Sequence, residues 1–262
     1  LAGFSEAERL PPGEMPELER WVLHRLHGLG ESVRECNHSF DFPRLYSAIH
    51  NFCATDLSAF YFDVRKDALY CDPSDALRRR AARTVMDQLF SCLTAWLAPV
   101  LVFTAEEAWL TRFPSETDSV HLRRFPELPD AWRDDALAAR WQRVRRVRRV
   151  VTGALELERK EKRIGSSLEA APMVFLTEAD ARALDGLDLA ELAITSGIEV
   201  VVGAPPPEAF RLDDVPDVGV VPGGAEGAKC ARCWRILPEV GRAVAAPELC
   251  VRCAGAVGAR AA

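Results

Sequence analysis

Nowhere does this sequence hold an apolar run near the roughly 20 residues that a membrane-spanning helix needs. The most apolar stretch, Leu93 to Phe103, is interrupted by Thr94 and Pro99. No basic-then-apolar leader opens the chain, so nothing directs it to export and the expected compartment is the cytoplasm. An overall positive charge is lacking too. The formal net charge is -6, so any attraction to a polyanion must come from a local patch. Catalytic motifs are equally scarce. Gly28 and Gly30 lack the third glycine and the flanking strand and turn of a dinucleotide loop. His24 and His27 have no acidic or thiol partner placed to complete a metal site. No Ser/His/Asp or Cys/His arrangement stands out, and no catalytic residue is assigned. The chain opens on Leu1 rather than methionine, so a motif missing here is missing from this chain alone.

What is present begins with helical periodicity. With 262 residues, 48% of them hydrophobic, the chain suits about two soluble domains. Leu18, Trp21, Val22, Leu26 and Leu29 recur at helical steps between Pro16 and about His38. After Phe40 to Pro43, a second helix is expected from about Arg44 to Leu69, with Tyr46, Ile49, His50, Cys53, Leu57, Phe60 and Tyr61 as its stripe. A third should start near Ser74 or Asp75, either of which is placed to cap it, and should end at Leu97 before Pro99. Thr104 to Glu107 has the spacing of a capping box for a fourth. Prolines mark 113–133 as loop, and a long helix follows from about Asp134 to Lys162 with Trp141, Val144, Val147, Val151 and Leu155 on one face. These helices read as a bundle.

Beyond Gly165 the texture changes. Met173 to Leu176, Ile198 to Val202 and Val215 to Val221 suggest strands, with helices at Thr177 to Leu184 and Leu187 to Ile194. The fold class expected is mainly α: a helical bundle over 1–163, a small mixed α/β unit over 164–227 and a four-cysteine, zinc-ribbon-like module over 228–262.

Two Cys-x-x-Cys pairs define that module. Cys230 and Cys233 form one pair, Cys250 and Cys253 the other, with 16 residues between them. Each pair can form a tight turn with both sulfurs toward one ion, and four thiolates suit Zn2+. With no position left for water, such a zinc is structural. Disulfides are disfavoured without an export signal. Cys36, Cys53, Cys71 and Cys92 are isolated and read as free thiols in or near helices.

Two basic clusters accompany the cysteines. From Arg140 to Arg163 there are ten Lys or Arg against three Glu, and Arg143, Arg145, Arg146 and Arg149 spread over the face opposite the apolar stripe. In the cysteine module Lys229, Arg232, Arg235 and Arg252 surround Trp234. Arginines interleaved with an exposed aromatic suit single-stranded nucleic acid, with phosphates neutralised and a base stacked. A solvated helix face and a tryptophan that covers the metal site are the plainer alternatives.

Several segments resemble a known family. Asn51-Phe-Cys-Ala-Thr-Asp-Leu-Ser-Ala-Phe-Tyr-Phe-Asp63, Lys66-Asp-Ala-Leu-Tyr70, Leu97-Ala-Pro-Val-Leu101 and Thr104-Ala-Glu-Glu-Ala-Trp109 resemble the anticodon-binding helical domain of bacterial isoleucyl-tRNA synthetases. Arg163-Ile-Gly-Ser-Ser-Leu-Glu-Ala170 is similar to the segment that follows it there. Lys229-Cys-Ala-Arg-Cys-Trp234 and Leu249-Cys-Val-Arg-Cys253 are similar to the family's C-terminal zinc finger. The match departs from the family before Cys250, where Ala-Ala-Pro-Glu-Leu stands and a histidine before the proline is expected. The helical domain is shared with the valyl, leucyl and methionyl enzymes, and the finger with formamidopyrimidine-type DNA glycosylases; the combination points to the isoleucyl enzyme.

The resemblance implies a parent enzyme that activates isoleucine with ATP and Mg2+, charges isoleucine tRNA and edits mischarged valine. Its activation signatures are expected upstream of Leu1, in the remainder of the synthetase chain. This chain would then hold the anticodon arm, with Arg232 and Trp234 at the anticodon loop, Lys229 and Arg235 beside them, and Arg145, Arg146 and Arg149 on backbone phosphates. The rival is a free-standing tRNA-binding or regulatory protein derived from such a domain.

Overall fold

A computed structural model describes residues 1–258, and the last residues of the expected 228–262 module lie outside the described residues. The chain divides into two compact units, one of residues 1–69 and 74–135, the other of residues 70–73 and 136–262. This differs from the division expected from sequence. The long basic helix belongs with the α/β segment and the cysteine module, and a four-residue piece of the early chain joins them.

In the first unit, α1 (Glu17–Ser39), α2 (Phe42–Asn51), α4 (Leu77–Leu97) and α5 (Val102–Arg112) are α-helices. A π-helical stretch, Phe52–Phe62, joins α2 to α3 (Asp63–Cys71). Leu18, Trp21, Val22, Leu26 and Leu29 of α1 are buried, as their spacing foretold, and Leu23, Val33 and Cys36 join them. Along the second helical run, the buried set is Leu45, Ile49, Phe52, Asp56, Leu57, Phe60 and Tyr61, whereas Tyr46 and His50 are exposed. The buried face still advances by three- and four-residue steps, but in α2 it is centred on Leu45 and Ile49, one residue before Tyr46 and His50.

Two expected caps do not form. Helix α4 starts after Ala76, with no side-chain cap from Ser74 or Asp75. Helix α5 starts after Leu101, three residues ahead of Thr104, and Glu106 accepts hydrogen bonds from the Ser119 hydroxyl and the Val120 N–H, both at 2.9 Å. Gly30 serves packing instead of phosphate binding: a Cβ there would meet Leu128 at 2.7 Å. Glu19, Arg65 and Tyr61 are all buried, with the guanidinium bonded to both carboxylate oxygens at 2.7 Å and the phenol donating at 3.1 Å. Each polar group thus finds a partner, as burial requires.

The second unit is built on α6 (Asp135–Lys160), whose buried face carries Trp141, Val144, Val147, Val150, Val151, Ala154 and Leu155. Strands β1 (Met173–Leu176), β2 (Glu199–Val202), β3 (Phe210–Leu212) and β4 (Val215–Val221) form a sheet in the order β2-β1-β4-β3. Val174 pairs with Val200 in the parallel β1–β2 ladder and with Val220 in the antiparallel β1–β4 ladder. Helix α7 (Glu178–Ala183) follows β1 and is capped by Thr177; α8 (Leu189–Ala193) is capped by Asp188. A two-stranded ribbon of β5 (Ala228–Lys229) and β6 (Ile236–Leu237) and a helix α9 (Val251–Gly258) frame the cysteines. Gly227, at φ +116°, begins the ribbon where any Cβ would collide with the Leu237 carbonyl. Only glycine fits both the backbone and the space. No helix of the described residues is long and apolar enough to cross a membrane.

Candidate metal centre and nucleic-acid face

The four spacing-predicted cysteines converge. Cys230, Cys233, Cys250 and Cys253 are buried, and their sulfurs all lie within 4.8 Å of one another. The first pair sits on a turn closed by Trp234 N–H to the Cys230 carbonyl at 3.0 Å, and the second opens α9, with Ala254 N–H bonded to the Cys250 carbonyl at 2.9 Å. Ala231 N–H to the Glu248 carbonyl, 2.9 Å, holds the two turns together. Zinc bound to thiolates at about 2.3 Å places neighbouring sulfurs about 3.8 Å apart on a tetrahedral edge. The Cys233 and Cys250 sulfurs are 3.8 Å apart, and all four cysteines are free thiols. The donor set therefore fits zinc and is not a pair of disulfides.

Protonation fits the same reading. For Cys230, burial opposes ionisation, but backbone N–H groups of Cys233, Cys250 and Arg232 outweigh it and bring the thiol down to about 6. Burial pushes Cys253 up to about 12, aided by Cys250, and drives Cys233 up as well. Four sulfurs this close cannot all ionise without a cation among them.

The arginines around this cluster face inward to the chain. Arg232, between the first two cysteines, donates to the carbonyls of Cys71 and Tyr70, the latter at 3.0 Å. Arg252, between the second two, pairs with Asp72 at 3.1 Å. Arg235 donates to the Ser196 carbonyl at 2.8 Å. Trp234 and Lys229 differ. Trp234 is 62% exposed and holds a left-handed φ of +67°, which is uncommon for a bulky side chain, and the Lys229 ammonium lies 5.8 Å from its ring centroid. The tryptophan is thus displayed to solvent, not folded over the metal site.

The basic face of α6 is likewise committed. Arg146 pairs with Asp180 at 3.2 Å and also with Asp217. Arg143 reaches Asp180 at 3.2 Å, and Arg149 pairs with Asp214. Arg140 donates to the carbonyls of Ala183 and Asp185, and Arg148 to that of Leu192 at 2.6 Å. The Asp217 carboxyl is held below the usual range by its hydrogen bond from Arg146. Instead of an open cationic face, these side chains fasten α6 to α7, α8 and the β3–β4 hairpin. Arg145, also partnered, is half-buried on the same helix.

Sequence reasoning overlooked Tyr70, Cys71 and Asp72. Cys71 is buried among the zinc-type cysteines, and its thiol lies 3.7 Å from the Arg232 carbonyl. A separation of about 160 residues leaves no local pattern to reveal this. His24 accepts from the Asp134 N–H at 3.0 Å, and buried His27 lies 3.5 Å from Asp130; neither joins a metal cluster among the described residues.

Comparison with known proteins joins α6 to the earlier helices, which the two compact units separate. Residues 19–174 match the model of the anticodon-binding domain of tRNA ligase, and residues 227–255 match a zinc finger found in FPG and IleRS. Isoleucine–tRNA ligase of Ruegeria pomeroyi is 57% identical over 98% of this chain and 27% of its own length. Those of Caulobacter vibrioides and Agrobacterium fabrum are 54% and 52% identical over 98% and 95% of this chain, and 26% of their own length in each case. The chain thus spans about a quarter of the length of the curated relatives it matches. With more than half of its residues inside the matched domain, the chain belongs to the family of tRNA-ligase anticodon-binding domains and carries the zinc finger found in FPG and IleRS.

Proposed function

We propose that this chain is the tRNA-binding portion of an isoleucine–tRNA ligase and that it holds the anticodon arm of isoleucine tRNA. The observation that carries the reading is the exposed Trp234 beside Lys229, raised on a four-cysteine scaffold whose arginines are occupied within the fold. An indole face accepts a base, and the adjacent ammonium neutralises a phosphate. Cys230, Cys233, Cys250 and Cys253 would hold the zinc, which supplies structure rather than reactivity. In this reading Lys229 and Trp234 touch RNA directly, while Arg232 and Arg235 act through the backbone they hold.

Arg145 and Arg149 are the α6 residues assigned to outer phosphates, Arg149 being exposed in spite of its pair with Asp214. Arg146, lodged between Asp180 and Asp217, contributes mainly to packing. ATP and Mg2+ would act in the remainder of such an enzyme, and the cytoplasm is where its tRNA is found.

The test is binding of the zinc-loaded chain to isoleucine tRNA and to a tRNA with another anticodon across a salt series. Tighter binding of isoleucine tRNA at every salt concentration is expected. Equal affinities with the same steep salt slope would reduce the chain to a generic polyanion binder.

A further inference from the structure

Both zinc-binding turns have the form Cys-x-Arg-Cys, and both arginines grip the same short segment. Arg232 binds the last carbonyls of α3, those of Tyr70 and Cys71, while Arg252 binds the carboxylate of Asp72. Guanidinium donors suit the end of a helix, where carbonyls lack internal partners and the dipole is negative. Cys71 and Asp72 are buried in this grip, yet Tyr70 remains 75% exposed.

A single exposed aromatic needs no explanation. Here two exposed aromatics, Tyr70 and Trp234, adjoin one clamp, since Arg232 lies two residues from Trp234 and holds the Tyr70 carbonyl at 3.0 Å. Their backbones are fixed before any ligand arrives, so ordering them on binding costs little. Lys229 adds positive charge beside the indole. We infer that Tyr70 is a second base-stacking residue of the RNA face, set in place with Trp234 by the arginines of the two metal-binding turns.

This inference rests on the anticodon-arm reading and names a further contact within it. The occupant is single-stranded RNA of the anticodon loop, because stacking accepts any unpaired base while the ammonium accepts its phosphate.

The experiment uses the zinc-loaded chain and a synthetic anticodon stem–loop of isoleucine tRNA carrying 5-iodouridine at successive loop positions. Photocrosslinks, mapped by peptide mass spectrometry, are expected at both Trp234 and Tyr70 in the unaltered chain. Tyr70→Ala should weaken stem–loop binding about tenfold, a typical loss for one stacked base, whereas Tyr70→Phe should retain it. Arg232→Met should lose the Tyr70 crosslink while zinc content holds. A crosslink at Trp234 with none at Tyr70, together with unchanged affinity in Tyr70→Ala, would overturn the inference and leave the anticodon reading intact. Failure of the unaltered chain to distinguish this stem–loop from a scrambled one would remove both.

Discussion

Trp234 places a large ring on a backbone conformation that costs an L-residue about 1–2 kcal/mol. That cost is tolerated because the turn around Cys230 and Cys233 dictates it: Trp234 N–H closes the turn onto the Cys230 carbonyl, and Cys230 N–H bonds the Arg235 carbonyl at 2.9 Å. Glycine would meet the same backbone requirement without the ring. Trp234→Gly should therefore keep its zinc and shift stability by no more than about 1 kcal/mol, since relief of strain offsets added chain entropy. Affinity for the tRNA anticodon stem–loop should nevertheless fall about tenfold. Zinc content by metal analysis and RNA binding by anisotropy, measured on one preparation, separate the two effects. Loss of zinc would make the indole a structural lid, and unchanged RNA binding would remove Trp234 from the interface.

At the scale of elements, α6 shows how one arginine-rich face divides its labour. Asp180 is fully buried and receives Arg143, Arg146 and the Thr177 hydroxyl, so removing Arg146 leaves a buried carboxylate short of a partner. Arg149 and Asp214 form an exposed pair that water replaces readily. Arg146→Met is expected to cost about 2–3 kcal/mol in urea unfolding, and Arg149→Met less than about 0.5 kcal/mol. Equal costs would contradict this division. In RNA titrations Arg149→Met should instead lower the salt slope by about one if that guanidinium meets a phosphate. The apolar face of α6 was legible in the sequence because Trp141, Val144, Val147 and Val151 repeat at the helical period. The partners of its arginines were not, because Asp180, Asp214 and Asp217 lie 34 to 71 residues away and no local pattern records such pairings. Strand β3 escaped for a related reason. Phe210–Leu212 is three residues long and has Arg211 at its centre, too short to show alternation. The convergence of Cys230, Cys233, Cys250 and Cys253 was legible, since a Cys-x-x-Cys turn is itself a local pattern.

The chain passes between its two compact units three times, and the brief excursion at residues 70–73 is the one that the cysteine module holds. If zinc orders the turns that carry Arg232 and Arg252, then its removal must be felt at residues distant in sequence. A module whose buried cluster is Cys71, Cys230, Cys233, Cys250, Cys253 and Leu249, with only the partly buried Leu237, Val240, Ala246 and Ala254 packed against it, has little apolar surface to keep it folded without metal. Chelation is therefore expected to raise amide hydrogen exchange across 228–258 and also at 70–73. Exchange within α1, whose core is Trp21, Val22, Leu26 and Val33, should stay as it was. Tyr70 would lose its fixed backbone, so the photocrosslink to that residue should vanish on chelation and return when zinc is added back. Protection at 70–73 that survives metal removal would mean that the end of α3 orders itself. The two arginines would then follow the helix instead of setting it, and zinc would govern Trp234 alone.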